Sequence, residues 1–132
     1  MPILSVKVSA KRSSEMTQKI ASILSDLTKQ ILGKDPNLIA VAIDYVNPED
    51  WVVGGKSLAE QKKSSVYFDI KITDETNTKA EKEIYIREAF AAFERLLGNL
   101  HEESYIYVED VRAAAYGYGG KSQEYRYQHR QR

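Results

Sequence analysis

The sequence predicts an α+β fold: a tandem β-α-β repeat whose four strands form one mixed sheet, with two helices on one face. Three observations carry this. The tetrapeptide Gly54-Gly55-Lys56-Ser57 recurs 65 residues later as Gly119-Gly120-Lys121-Ser122, and Gly33 recurs at the same spacing as Gly98. Each half also runs through the same three patterns: an alternating segment, a segment of helical period, and a β-rich closing run.

In the first repeat, residues 2–57, Ile3 to Val8 alternates apolar with polar, the period of a strand with one buried face. Met16, Ile20, Ile23, Leu24, Leu27 and Ile31 then recur at three and four, which predicts a helix capped by Ser13 or Ser14 and ended by Gly33. Leu38 to Val46 closes the unit as a strand. A polar connector is expected over 58–65. The second repeat, 66–122, opens with Val66 to Ile72 and continues with a helix whose core face is read as Ile86, Phe90, Phe93 and Leu97, between Asn77 or Thr78 and Gly98. It closes with Tyr105 to Val111, and a basic tail follows over 123–132. Each strand, helix, parallel-strand crossover should be right-handed. The closing runs are apolar almost continuously, as in Leu38-Ile39-Ala40-Val41-Ala42-Ile43, which predicts that both sheet faces are covered. Two helices cover one face, so a second copy of the chain is expected on the other.

Composition narrows the function. A chain of 132 residues can bury roughly two thirds of its unfolded surface without a staple. It has no cysteine, so disulfides, thiolate nucleophiles, iron–sulfur clusters and cysteine-bound zinc are excluded. Nineteen basic residues balance nineteen acidic ones, leaving no overall field to draw the chain onto nucleic acid or an anionic membrane. No apolar run approaches the ~20 residues of a membrane span, and the first residues lack a signal peptide's apolar core, so a cytoplasmic protein is expected.

Pro2 directly after Met1, Arg12 ten positions on, an aromatic at Trp51 and the pair Gly54-Gly55 together resemble the 4-oxalocrotonate tautomerase family, which builds its subunit from one β-α-β unit. The second half resembles a degenerate copy, as in the fused, longer members of the tautomerase superfamily. The resemblance implies a catalytic N-terminal proline and, for a fused chain, a homotrimer imitating a hexamer of short chains. It implies Arg12 as the anchor for a substrate carboxylate.

The chemistry of Pro2 can be argued from the residue. Once Met1 is excised, its nitrogen is a secondary amine, the only group of that kind in the chain. An exposed α-amino group titrates near ~8, and burial or a neighbouring cation lowers this toward the range that suits a general base. The neutral nitrogen can take a proton from a carbon beside a carbonyl, or from a dienol, and return it elsewhere on the conjugated system. Neither cofactor nor metal is needed. Arg12 would grip a carboxylate through paired hydrogen bonds and stabilise a developing enolate; by position alone it is also a solvated residue before a helix. Trp51 would wall the pocket or anchor a subunit interface, and the two roles are compatible.

The departures matter as well. Where diacid-processing members have a second arginine, this chain has Ala40. The position matching Pro2 in the second half falls near Val66, whose nitrogen is an amide, so one proline site per chain is the limit. Thr76 or Asn77 stands where Arg12 would recur. Tyr105, Tyr107 and Arg112 are the second half's candidate contributors. Gly-Gly-Lys-Ser fails as a phosphate loop twice, because the glycine needed five residues before the Gly-Lys pair is Asp50 or Ala115. Asp44, Glu109 and Asp110 read as solvent-facing. The expected function is cofactor-independent keto-enol isomerisation of a small 2-oxo or 2-hydroxy-dienoic acid. The rival readings are an idle tautomerase-fold assembly or binding protein, and nucleic-acid binding by the basic, tyrosine-rich tail.

Overall fold

The computed structural model describes residues 2–129. Its main sheet has four strands, β1 (Ile3–Val8), β2 (Ala40–Tyr45), β5 (Val66–Thr73) and β6 (Tyr105–Val111), in the order β2-β1-β5-β6. β1 pairs parallel with β2 and β5 parallel with β6, while β1 and β5 run antiparallel at the centre. The sheet is therefore mixed, and its two β-α-β units face each other across an internal two-fold. Two small hairpins, β3 (Val52–Val53) with β4 (Lys56–Ser57) and β7 (Gly117–Tyr118) with β8 (Lys121–Ser122), follow the outer strands.

Local chemistry sets the helix limits. α1 (Ser14–Leu32) starts where the Ser13 side chain accepts from the Met16 amide and ends at Gly33, whose left-handed φ of 71° an L side chain would resist. α3 (Lys79–Leu97) starts in a capping box, with the Thr78 side chain accepting from the Glu81 amide and the Glu81 carboxylate accepting from the Thr78 amide. Those bonds hold the Glu81 carboxyl below its ordinary range.

Both long helices pack on one sheet face. Leu4, Val6 and Val8 from β1 meet Phe68, Ile70 and Ile72 from β5, under Ile20 and Leu24 of α1 and Tyr85, Ala89 and Phe93 of α3. Each fully buried side chain of this size contributes ~1.5–3 kcal/mol of transfer free energy. The face of α3 departs from the sequence expectation at one residue: Ile86 is 40% exposed, whereas Phe93 is buried and Phe90 and Leu97 pack against the core as expected, with Tyr85, Ala89 and Ala92 turned inward beside them. Tyr85 can enter because its hydroxyl meets Thr28 Oγ1 at 2.9 Å, and two alanines bring α3 close to α1. A counting of apolar residues cannot see either effect.

The two segments outside the repeats carry short helices. The connector 58–65 opens with the helical turn α2 (Leu58–Gln61), capped by Ser57 and driven by Leu58, which is fully buried. The tail begins with α4 (Gln123–Gln128), capped in the same way by Ser122; residues 130–132 lie outside the described residues. Gly-Gly-Lys-Ser is thus a turn-strand-cap device: Gly54, Gly55, Gly119 and Gly120 all have positive φ, and each serine caps the helix that follows.

The second sheet face is open in the protomer, and its strands alternate. Ala40, Ala42 and Asp44 on β2, and Tyr105, Tyr107 and Glu109 on β6, all point away from the core. The outward residues of these runs are alanines and tyrosines, with Asp44 and Glu109 beside them. Among the described residues, no helix is long and apolar enough to cross a membrane.

Candidate active site

The strand register sorts the open face into rows. One end carries Ala40, Ile3, Lys71 and Glu109, one from each strand; the other carries Asp44, Lys7, Tyr67 and Tyr105. Pro2 precedes the first row. It is buried, and its carbonyl accepts the Ala40 amide at 3.1 Å, which fixes the start of β1 against β2.

Several second-half groups share that end. Thr73, the last residue of β5, bonds through Oγ1 to the Tyr116 hydroxyl, and its carbonyl accepts Thr76 Oγ1 at 2.6 Å. Thr76 Oγ1 in turn accepts from Lys34 Nζ at 2.9 Å. Partial burial lowers the Lys34 pKa, opposed by the charges of Glu81 and Asp110. Arg112 follows Val111, the partner of Thr73 in the ladder, so this candidate stands at the Pro2 end.

Arg12 and Trp51 do not. Arg12 is exposed, four residues past the far end of β1, beside the Ser13 cap whose carbonyl accepts the Tyr45 hydroxyl. Trp51 shares with Lys7, Tyr67, Tyr105 and Glu103 an open pocket of about 690 Å³. At ~3.3 Å per strand residue, Pro2 and Lys7 are about 17 Å apart along β1. One protomer therefore keeps Pro2 apart from Arg12 and Trp51. Of the tyrosine candidates, Tyr105 lines the Trp51 pocket, where the Glu103 carboxylate accepts its hydroxyl at 2.6 Å and raises its pKa. Tyr107 stacks on Tyr105 in the middle of the open face.

The second repeat has an amide where the first has the Pro2 nitrogen. Ile3 and Tyr67 occupy matching register positions, with Ala40 beside one and Tyr105 beside the other, so Val66 is the counterpart of Pro2. Its amide donates to Ser104 Oγ at 3.3 Å.

The family model described as tautomerase enzyme matches residues 2–61. A probable tautomerase K2 from Dickeya dadantii (strain 3937) is 26% identical over 66 residues, spanning 49% of this chain and 98% of that protein. Over the whole chain, the fold resembles fused 4-OT structures. F6 fused 4-OT, an asymmetric trimer, superimposes with a TM-score of 0.79 at 14% identity, covering 93% of this chain and 97% of that one. Pt0534 inactivated by 2-oxo-3-pentynoate gives 0.79 at 16% identity with the same coverages. The first half is thus similar to the tautomerase family in sequence, and the whole chain is similar to these structures in fold.

Sequence reasoning missed Lys34 and Tyr116. Tyr116 was accessible, since it stands at the repeat spacing from Trp51. Lys34 gave no signal beyond following the helix-ending Gly33, because its position at the Pro2 end depends on the α1–α3 packing.

Proposed function

We propose that the protein is a cofactor-independent tautomerase that ketonises a small 2-oxo or 2-hydroxy-dienoic acid, with the processed Pro2 nitrogen as general base. The observation that carries this reading is the burial of Pro2 at the start of a central strand, within the segment matched by the tautomerase family. Burial and the nearby cations Lys34 and Arg112 would disfavour a protonated proline nitrogen, keeping it available near neutral pH.

The reaction needs a carboxylate anchor. Arg12 and Trp51 would reach Pro2 from a neighbouring copy in a homotrimer, while Arg112 supplies charge from the same protomer. The open sheet face supports such an assembly, and the resemblance to a trimeric fused 4-OT supports the number three. Proton removal by Pro2 and its return to the α or γ carbon complete the cycle without net chemistry on the protein.

Ketonisation of phenylenolpyruvate and of 2-hydroxymuconate by wild type and Pro2→Ala tests this. The variant should lose about a hundredfold or more in kcat/KM. Equal rates in the two proteins would remove the proline mechanism and leave an idle tautomerase fold.

A further inference from the structure

We propose that His101 is an acid-sensitive clasp: its neutral ring holds closed the turn that ties β6 to the connector between the two β-α-β units, and its protonated ring releases that turn. The inference starts from a turn that the described residues build at three places. Asp35 Oδ1 accepts the Asn37 amide at 3.0 Å, Asn47 Oδ1 accepts the Glu49 amide at 3.0 Å, and His101 Nδ1 accepts the Glu103 amide at 2.9 Å. In each, a side chain bonds the backbone two residues on. Asp35 precedes β2 and His101 precedes β6, the closing strands of the two repeats.

The three acceptors differ in chemistry. An aspartate accepts through either oxygen, and an asparagine does not titrate. A neutral imidazole accepts through one bare nitrogen, whereas an imidazolium carries a hydrogen on both. Imidazoles cross between these forms between about pH 5 and 8. The Glu103 amide fixes Nδ1 of His101 as the bare nitrogen, so proton uptake there sets one N–H against another. The closed turn and the charged ring exclude each other.

The turn is tied to a buried seam. The His101 amide donates to the Ser64 carbonyl at 2.7 Å, and the His101 carbonyl accepts Ser104 Oγ at 2.8 Å. Ser104 Oγ also accepts the Val66 amide at the start of β5, while Ser65 Oγ donates to the Glu103 carbonyl at 3.2 Å. Ser65 is fully buried, and its amide donates at 2.7 Å to the hydroxyl of Ser9, the residue after β1. Hydrogen bonds therefore run from the clasp through Ser65 into the first unit.

Among the described residues His101 has no ion pair. The charged groups of the elements around it are Glu102 and Glu103 in the turn, Lys62 and Lys63 before Ser64, and Glu94 and Arg95 in the last turn of α3. Three are acidic and three basic, so the lost acceptor, and not a field of one sign, sets the direction. The turn is closed when the ring is neutral and open when it is charged. This clasp goes beyond the tautomerase reading and does not depend on it.

Amide exchange of the whole chain as assembled tests this between about pH 8 and pH 5, corrected for the intrinsic pH dependence of exchange, with the His101 ring followed by NMR in the same samples. In wild type the Glu103 amide should lose about tenfold in protection as the ring takes up its proton, while the Asn37 amide keeps its own. His101→Asn supplies an acceptor that does not titrate and should stay protected throughout. His101→Ala has no acceptor and should be unprotected throughout. A Glu103 amide that stays protected in wild type while the ring titrates overturns the proposal. So does a loss in His101→Asn equal to that in wild type, since the acid effect would then arise elsewhere. Equal loss at Asn37 also overturns it, because the opening would be global and not local to the clasp.

Discussion

The Ala40 amide donates to the Pro2 carbonyl at 3.1 Å, so the residue before β1 is clamped to the first residue of β2. The Ala40 side chain is exposed on the open face beside Ile3. Ala40→Arg therefore adds a guanidinium next to the proline without disturbing the core. The variant is expected to lower KM for the diacid 2-hydroxymuconate by about tenfold and to leave KM for a monoacid nearly unchanged. Steady-state kinetics on both substrates check this, and equal effects on the two would contradict it.

The separation of Pro2 from Arg12 along β1 predicts subunit complementation. Pro2→Ala and Arg12→Ala proteins should each have low activity alone. Refolded together, they should form mixed trimers in which an intact proline meets an intact arginine, and activity should reappear. Mixed assemblies that stay inactive would remove Arg12 from the site and leave Arg112 as the carboxylate anchor.

Tyr85 makes stability depend on alkaline pH. Burial pushes its phenol up to about 12 from the usual 10, with the Thr28 hydrogen bond opposing. The native state holds that proton more tightly than the unfolded chain, so the stabilisation is fully present below pH 10 and is lost as pH rises toward 12. The loss should amount to roughly 3 kcal/mol. Denaturant melts across this range should show it, and Tyr85→Phe should flatten the profile. That variant should also be about 1–2 kcal/mol less stable at neutral pH, because the buried Thr28 hydroxyl loses its partner.

Gly117 tests the second hairpin. A Cβ there would fall on the backbone of Lys121 and Ser122, across the narrow β7–β8 pair. Gly117→Ala should open that hairpin and release the Arg126 guanidinium, which donates to the Tyr118 carbonyl at 2.9 Å and lies over the Tyr118 ring. Amide exchange should accelerate through 116–128 while β1 and β5 keep their protection. Unchanged exchange in this segment would contradict the assignment.

Much of this architecture was legible in the sequence because it follows from local, periodic signals. Alternation marked the strand Ile3–Val8, Ser13 or Ser14 and Gly33 delimited the first helix, and the repeated Gly-Gly-Lys-Ser marked the two halves as copies. The face of α3 was misread at Ile86, which looks more apolar than Tyr85, and only the Thr28 partner makes the tyrosine the better core residue. The candidate site was legible as residue types and not as an arrangement. Nothing in the spacing of Pro2, Arg12 and Trp51 says that a six-residue strand holds the first apart from the other two. Nor does sequence pattern reveal that Lys71 pairs with Asp69 while, among the described residues, Lys7 has no ion-pair partner, since Asp69 stands where β1 has Ser5.

The account rests on the proton affinity of one nitrogen, and a titration of processed protein by nitrogen NMR, with label in proline, measures it directly. Pro2 should titrate clearly below the ~8 of an exposed α-amino group, and the same pKa should appear in the acid limb of kcat/KM. A Pro2 nitrogen that titrates at or above that value, with an acid limb that does not follow it, would contradict the assignment of Pro2 as the base.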